Sequence, residues 1–533
     1  MGSPSDSPKR LSMLLPLARG LSFWLRLDGR AARPDWRLGR RDSSQRLSLL
    51  LALCMILPPS VFGHAAGGQP LPQEGDRGQQ GTVTDLLGVY RLALRNDPTF
   101  REARAALKAG LESRNLGLAG LLPKVEVTAS YGQSFVQGRG QFPAGGLLVP
   151  NKTDRDIETK GWAVTLQQPV FDLAAWFRFR NGEMVSEEAK ARFAAASQDL
   201  ILRVAEAYLA VLRAQVDLEA LKALEEANRK QFEQAKARFE VGMVPITDVR
   251  EAEAALDLAR AQRIAAEGAL EVAKERLTVL TGQRHEALAV LEEAFPVTPP
   301  DPDDVQRWIA FAQRNNHDLR AARLAMEAAH QQAKAALAGH LPTLTLQLSY
   351  GQDRSEVDFH NKAPRGGGER FAQFPSNVDR GSFQLNLRMP IFAGGGISAR
   401  RRKAYAEYEQ ARERYLGTAR QIVQETRAAF IEVLTTMAQV RAGKKAVGSS
   451  RTSLEATEAG YRVGLRTIVD VLAAIQNYHR AVRDYERARI DYLVATLKLK
   501  RLAGTLSPED LEAVNRFLRQ PSPQAEATAP RGG

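Results

Sequence analysis

Four short segments of the chain alternate apolar and polar side chains. Val125, Val127, Ala129 and Tyr131 alternate with Glu126, Thr128, Ser130 and Gly132. Trp162, Val164 and Leu166 alternate with Ala163, Thr165 and Gln167. Leu344, Leu346, Leu348 and Tyr350 alternate with Thr345, Gln347, Ser349 and Gly351. Phe383, Leu385, Leu387 and Met389 alternate with Gln384, Asn386 and Arg388. A period of two gives each strand one apolar and one polar face. Strands are therefore predicted at about 124–135, 161–169, 343–352 and 382–390, with hairpin loops at 136–160 and 353–380. Taken alone, these strands fit an outer-membrane barrel and a half-buried sheet of a soluble α+β domain equally well.

The intervening residues are helical in pattern. Short helices at about 83–95 and 303–314 lead into helices at about 98–121 and 318–340, which Leu-Pro stops at Pro123 and Pro342. Proline-free stretches at about 173–241 and 397–463 predict two long helices, each roughly 100 Å in length. A Val-Gly turn ends each, and a further helix runs to Gly282 or Gly504. That helix is roughly 55 Å long and the pre-strand helix roughly 35 Å, so the two end to end nearly match the long one. The expectation is a wall of parallel pillars, two continuous and two jointed, with the short helices at the joints. Its abundant Ala permits close, coiled-coil-like packing. Ile468, Val471, Leu472 and Ile475 read as core of that wall.

The pattern occurs twice. Arg95 matches Arg314, Pro123 matches Pro342 and Tyr131-Gly132-Gln133 matches Tyr350-Gly351-Gln352, at an offset of 219. Pro169-Val170-Phe171 matches Pro390-Ile391-Phe392 at 221. Val241-Gly242, Asp248-Val249 and Leu280-Thr281-Gly282 match Val463-Gly464, Asp470-Val471 and Leu502-Ala503-Gly504 at 222. The chain is a tandem duplication, with a first repeat at 80–282, a linker at 283–301, a second repeat at 302–504 and a C-terminal segment at 505–533 whose end is predicted to be disordered. Both feet of each hairpin enter helices, so the helices lie on one side of the sheet and the loops on the other. Four strands cannot close a barrel, and lipid does not tolerate open edges, so a membrane sheet of this kind requires several chains.

Of 533 residues, 44% are hydrophobic and 25% charged, which excludes a disordered or collagen-like chain. The formal charge is +13, but residues 1–65 hold ten Lys/Arg against four Asp/Glu. The 64 basic and 57 acidic residues that remain give no case for a nucleic-acid partner. Arg40, Arg41 and Arg46 precede the apolar run Leu47–Leu57, which Pro58-Pro59 break before Gly63, Ala65 and Ala66. This is the layout of a secretory signal in residues 1–65, cleaved after Ala65, and the run is too short to span a bilayer. Bulky Leu53 argues against lipid attachment at Cys54, and Asp42-Ser43-Ser44 argues against a twin-arginine signal. Residues 1–39 match neither leader nor domain and point to a true start beyond Met1. Cys54 is the only cysteine, so the exported chain has no disulfide framework, thiolate metal cage or cysteine nucleophile. No G-x-x-x-x-G-K-[ST] loop is present, and His285, His317, His330, His340, His360 and His479 lack ligand spacing. Gly394-Gly395-Gly396 reads as a flexible joint between strand and helix. No catalytic constellation, metal site or cofactor site is expected.

Three stretches then become specific: Phe239-Glu-Val-Gly-Met-Val-Pro-Ile-Thr-Asp-Val249, Tyr461-Arg-Val-Gly-Leu-Arg-Thr-Ile-Val-Asp-Val-Leu472 and Tyr492 to Leu506. With the order of elements, they make residues 80–518 resemble the TolC-type outer-membrane efflux protein family. The resemblance implies a homotrimer with a twelve-stranded transmembrane β-barrel that continues into a periplasmic α-helical tunnel. Such proteins are passive exit ducts that dock onto a periplasmic adaptor and an inner-membrane pump, ABC or proton-driven, for efflux or type I secretion. By physics alone, Gly242 and Gly464 are left-handed positions ending the long helices, Pro245 suits a first helical turn, and Thr467-Ile-Val-Asp470 fits a capping box. Asp248 would also favour the helix dipole. The resemblance adds a gate, with Thr247 and Asp248 facing Tyr461 and Arg466 where the tunnel closes. It also places Asp470 in an acidic ring at the aperture. The second ring position is Ala473, so a trimer would carry three aperture charges instead of six. Val241, Gly242, Val463 and Gly464 would form the tips that meet the adaptor. The alternatives are a non-channel periplasmic coiled-coil adaptor, which the strands oppose, and an exported enzyme, for which no residue cluster speaks.

Overall fold

The computed structural model describes residues 84–519, apart from 145, 286, 293–294 and 363–369. The expected signal, with Cys54 and cleavage after Ala65, lies outside the described residues, as does the chain end beyond Arg519.

Each repeat begins with a capped helix pair. In the first, α1 (Leu86–Asn96) and α2 (Pro98–Ala119) are capped by Asp85 and Asp97, which accept from Gly88 N–H and Phe100 N–H. Strands β1 (Lys124–Ala144) and β2 (Leu147–Phe171) follow. The chain then enters α3 (Leu173–Glu240) and α4 (Ile246–Thr281). A short β3 (Val290–Leu291) precedes the second repeat. That repeat is α5 (Val305–Asn315), α6 (His317–Ala338), β4 (Thr343–Lys362), β5 (Arg370–Arg388), α7 (Gly396–Arg462) and α8 (Ile468–Leu502). Helix α9 (Pro508–Asn515) and β6 (Leu518–Arg519) close the described chain. The 68 residues of α3 and 67 of α7 make rods of roughly 100 Å. Among the described residues, no helix is long and apolar enough to cross a membrane.

The four long strands form one antiparallel sheet in the order β1-β2-β4-β5, open at both edges. Its apolar positions face outward without cover: Val127 and Leu387 are 70% exposed and Phe383 is 71% exposed. Trp162 and Tyr350, on the paired strands β2 and β4, meet edge to face at 5.9 Å. On the polar face Ser349 and Ser382 share a 2.7 Å hydrogen bond.

The strands outrun their expected ends. Segments 136–160 and 353–380, expected as loops, are for the most part strand: β1 runs to Ala144 and β2 starts at Leu147, with β4 and β5 extended likewise. Charge and Gly or Pro argued for loops only because a lipid-facing strand excludes them. Beyond the roughly 25 Å apolar band of a membrane barrel that exclusion lapses, and ladder bonds continue with ion pairs beside them. Arg380 meets Asp353 at 3.2 Å, Arg354 meets Glu356 at 2.9 Å, and Gln352 donates to Asp379 at 2.9 Å. The linker and the C-terminal segment meet where β3 pairs with β6; the end expected to be disordered lies outside the described residues.

The jointed pillars have a definite chemistry. Helices α2 and α4 pack on α3, while α6 and α8 pack on α7 and also touch α3. Where α4 ends, Gly282 adopts φ 72° and Asn96 Nδ2 donates to Thr281 O at 2.6 Å. In the second repeat Gly504 has φ 71°, and a Cβ there would lie 2.4 Å from Asn315 O, so glycine is required. Asn316 does two jobs: its Oδ1 accepts from Leu319 N–H at 3.0 Å and its Nδ2 donates to Leu502 O at 2.9 Å. Arg501 adds bonds to Asp199 at 2.7 Å and Asp318 at 3.0 Å. Around this level lies the main core, from Leu86, Val89, Leu200, Val204, Tyr208 and Leu209 to Leu493 and Leu511. Tyr208 Oη donates to Ala289 O at 2.7 Å, and buried Arg489 bonds Glu486 and the Glu292 carbonyl, which ties the linker down.

Replacing Asn316 by Ala removes a cap and a buried inter-helix bond together, so a loss of about 2–3 kcal/mol is expected. Asn316→Ser keeps a cap acceptor and loses the inter-helix donor, and should fall between. Thermal melting followed by helical circular dichroism in detergent checks the order wild type, Ser, Ala.

Candidate functional site

The candidate site is the end of the helices farthest from the sheet. Both long helices stop in the same way. Gly242 has φ 73°, its N–H donates to Phe239 O at 2.9 Å, and Met243 N–H donates to Arg238 O at 2.8 Å. Gly464 has φ 81°, with N–H to Tyr461 O at 3.1 Å and Leu465 N–H to Gly460 O at 2.9 Å. This is the Schellman arrangement, in which glycine takes the left-handed residue and two orphan carbonyls are satisfied. The turns leave apolar side chains in water: Val241 is 68% exposed, Met243 76%, Val463 70% and Leu465 81%.

The two following helices start differently. Thr467 caps α8 as expected: Asp470 N–H donates to its Oγ1 at 3.3 Å, while Asp470 Oδ2 accepts from Thr467 N–H at 3.0 Å. These bonds, backbone first, hold the Asp470 carboxyl below the ordinary aspartate range, with Arg466 a smaller contributor. Helix α4 has Pro245 at its N-cap, one position earlier than the expected first-turn place, and it makes no side-chain cap bond. Proline has neither an N–H to give nor a side-chain acceptor. Asp248, the counterpart of Asp470, therefore has no capping box to join, and its carboxylate is left available to a neighbour.

Tyr461 lies within the field of that carboxylate. Its ring packs at the edge of the apolar cluster of Leu224, Ala259, Val471 and Ile475, where the α7/α8 pair meets the α3/α4 pair. The guanidinium carbon of Arg238 lies 5.0 Å from the ring centroid. Tyr461 Oη is enclosed and completes no hydrogen bond of ordinary geometry, yet it lies within the fields of Asp248 and Arg238. Burial, then Asp248, push the hydroxyl's pKa up against the pull of Arg238, so it stays a neutral donor. Three helices thus bring Arg238, Asp248 and Tyr461 together. Within one chain Arg466 joins no carboxylate by an ion pair among the described residues, and its stem lies over Gly460. Thr247 and Ala473 are exposed. Arg238 escaped the sequence reading, although a basic residue in the last turn before a glycine stop was the available signal.

Higher up, polar ties are plentiful. Glu225 is buried between α3 and α4 and meets Arg263 at 2.6 Å, Arg229 at 2.8 Å and Arg260 at 3.5 Å. Burial alone would raise its pKa; Arg263 and Arg229 outweigh that and hold it down. The two helix pairs are joined by Arg213–Asp491 at 2.9 Å and by a two-bond Arg487–Asp217 bridge. Below Asp217 no ion pair joins the two pairs among the described residues, over roughly 36 Å of α3. A cleft of about 440 Å³ opens there between α4 and α8, lined by Ala265, Ala269, Gln476, His479 and Arg480.

The sequence profile of the outer membrane efflux proteins matches residues 89–283 and 308–505, one segment in each repeat. The chain belongs to this family. The outer membrane protein TolC of Vibrio cholerae is 33% identical over 82% of this chain and 94% of its own length. The alkaline protease secretion protein AprF of Pseudomonas aeruginosa is 32% identical over 80% and 86%. The crystal structure of the outer membrane protein VceC from Vibrio cholerae shares the fold at 22% identity, with a TM-score of 0.63, covering 79% of this chain and 96% of that one. Membership makes this an outer-membrane channel protein with a large helical portion on the periplasmic side.

The pH response of the tip follows from Asp470. Its pKa is depressed by folding, so its stabilising bonds are complete above the ordinary aspartate pKa and are lost as pH falls through the lower, folded value. Hydrogen exchange at the first turn of α8 should therefore stay constant from neutral pH down to the aspartate range and accelerate below it, once corrected for intrinsic exchange. Thr467→Ala should show the faster exchange throughout.

Proposed function

We propose that three copies of this chain close a twelve-stranded outer-membrane barrel above a continuous helical tunnel, and that the tunnel is a passive exit duct of tripartite efflux or type I secretion. The observation that carries this reading is the open four-stranded sheet with an uncovered apolar face, whose strands pass directly into helices of roughly 100 Å. The duct closes at the periplasmic tip. Thr247 and Asp248 face Tyr461 and Arg466, with Tyr461 in the field of Asp248 inside one chain and Arg466 free to reach a neighbouring copy. Asp470 contributes one acidic ring. A periplasmic adaptor docks at the exposed tips Val241, Gly242, Val463 and Gly464, and an inner-membrane pump supplies the energy. Docking separates the helix pairs where polar ties between them are scarce. The similarity to a protease secretion protein supports proteins among the cargo.

Native mass measurement in detergent should give three times the mature chain mass, and a monomer would defeat the assembly. Exposed polar bonds contribute about 1 kcal/mol or less each, so one substitution should barely open the pore. Tyr461→Phe with Arg466→Ser removes several bonds through threefold repetition, and planar-bilayer recording should show open probability rising by about an order of magnitude. An unchanged conductance would remove these residues from the gate.

A further inference from the structure

The duplication makes the seam between the two repeats a pattern for the seam between two copies. Inside the chain, β2 and α3 of the first repeat meet β4 and α6 of the second. In the proposed ring, β5 and α7 meet β1 and α2 of the next copy in the same way. Equivalent residues follow from the alignment of the repeats. Helices α2 and α6 align at an offset of 219, as do β1 and β4, while β2 and β5 align at 221. Helices α3 and α7 align at 222 from their common Val-Gly stop, which sets Ala189 on Ala411 and Phe193 on Tyr415. Exposure then separates the repeats at equivalent positions. On α6, Ala321, Ala328 and Ala335 are buried, and Asn181 Nδ2 on α3 donates to Ala328 O at 2.8 Å. Their counterparts on α2, Glu102, Ala109 and Leu116, are exposed, Leu116 to 76% against 7% for Ala335. On α3, Ala195 is buried, whereas its counterpart on α7, Gly417, is exposed, and a Cβ there would meet nothing within 4 Å.

The chemistry of the bare faces differs from that of the seam inside the chain. Lys403 is the counterpart of Asn181, so it falls over Ala109 of the next copy, within one turn of Glu112. Arg414 and Glu102 repeat this relation about three turns nearer the tip. Neither carboxylate has an equivalent inside the chain, where Gln331 and Ala321 stand in their places. Among the described residues Glu102, Glu112 and Arg414 join no ion pair. Glu112 accepts a hydrogen bond from Asn115 at 2.8 Å, and Lys403 reaches Glu407 at 3.7 Å. Opposite charges that occur only on the two bare faces favour α7 against α2 of another copy over contacts between like faces.

We propose that neighbouring copies join in one register, with Leu385 opposite Tyr131 and Leu387 opposite Ala129 of the next copy, and that Lys403–Glu112 and Arg414–Glu102 ion pairs fasten the helices beneath. The register carries over the pairs Val164–Tyr350 and Leu166–Leu348. It keeps apolar side chains together on the outward face, and it gives the edge-to-face contact of Trp162 and Tyr350 a counterpart in Phe383 and Tyr131. The inference rests on the reading that three copies close a barrel. Cys54 is the only cysteine, so wild type is the blank for cross-linking. Tyr131→Cys with Leu385→Cys, oxidised in outer membranes and boiled in detergent without reductant, should run as linked dimer and trimer. Ala129→Cys or Gln133→Cys with Leu385→Cys should run as monomer, because a two-residue slip sets the Cα atoms roughly 7–8 Å apart, beyond disulfide reach. Lys403→Glu and Glu112→Lys should each lower the temperature at which the trimer dissociates, and the two together should restore most of it. A trimer linked through a slipped pair, or through none of these pairs, overturns the register and leaves the three-copy barrel standing. Wild type that is monomeric by native mass measurement overturns both. A double reversal no more stable than the worse single one overturns the ion pair.

Discussion

Two rows of unpaired backbone N–H and C=O groups, along the free edges of β1 and β5, set the terms for the rest of the molecule. In hydrocarbon each unmet group costs several kcal/mol, and an edge of ten residues cannot be tolerated there. The outward face of the sheet is apolar, so the edges cannot retreat into water either. Pairing with another copy is the one escape that leaves the fold unchanged, and it brings the helices beneath the sheet with it. Because every strand foot runs into a helix within a few residues, closing the sheet into a ring also arranges α2, α3, α6 and α7 in a ring. The tunnel of the proposed assembly is thus a consequence of strand pairing.

Duplication supplies two equal walls, and the differences between them are informative. At the tip, the cap residue distinguishes the following helices of the two repeats: Thr467 caps α8 and engages the Asp470 carboxylate, whereas Pro245 cannot engage Asp248. The first repeat therefore holds a carboxylate available to a partner, and the second holds the tyrosine and arginine suited to meet one. A structural cap and one half of a proposed gate occupy equivalent positions. The repeats also diverge where strand becomes long helix: Arg178 and Arg180 are in ion pairs in one, whereas in the other Lys403 reaches Glu407 and Arg400, Arg401 and Arg402 join no ion pair among the described residues.

Much of this was legible in the residues because it depends on local periodicity. Strand alternation, proline-free helices and the 219–222 offset are short-range signals, and the turns at Gly242 and Gly464 follow from the need for a left-handed residue. Ile468, Val471 and Ile475 are buried as their spacing required. The strand ends were not legible, since charge excludes a segment from lipid but not from a β-ladder in water. The β3–β6 pair joins residues more than 200 positions apart and has only two residues per strand, too few for a period. Arg238 was invisible for a related reason: its meaning comes from Tyr461, on a helix distant in sequence, and a basic residue in a last turn is common.

The distribution of ties between the helix pairs sets where the protein can move. At the joints, buried Asn316, Arg489 and Tyr208 hold bonds whose loss would each leave an unsatisfied buried group, so that level is fixed. Among the described residues, the last ion pair joining the two pairs is Arg487–Asp217. Farther down, their contact is a few apolar side chains and the Arg238–Tyr461 stack, worth about 0.5–1 kcal/mol at an exposed site. A rod fixed at one end and weakly held over roughly 36 Å responds to a force at its free end by pivoting about its last firm tie. On the proposed reading, small energies delivered at Val241 and Val463 would suffice to move the tip, whereas the joints would need several kcal/mol. In the proposed assembly, threefold addition of such weak contacts would close the resting state, and the same weakness would make closure reversible.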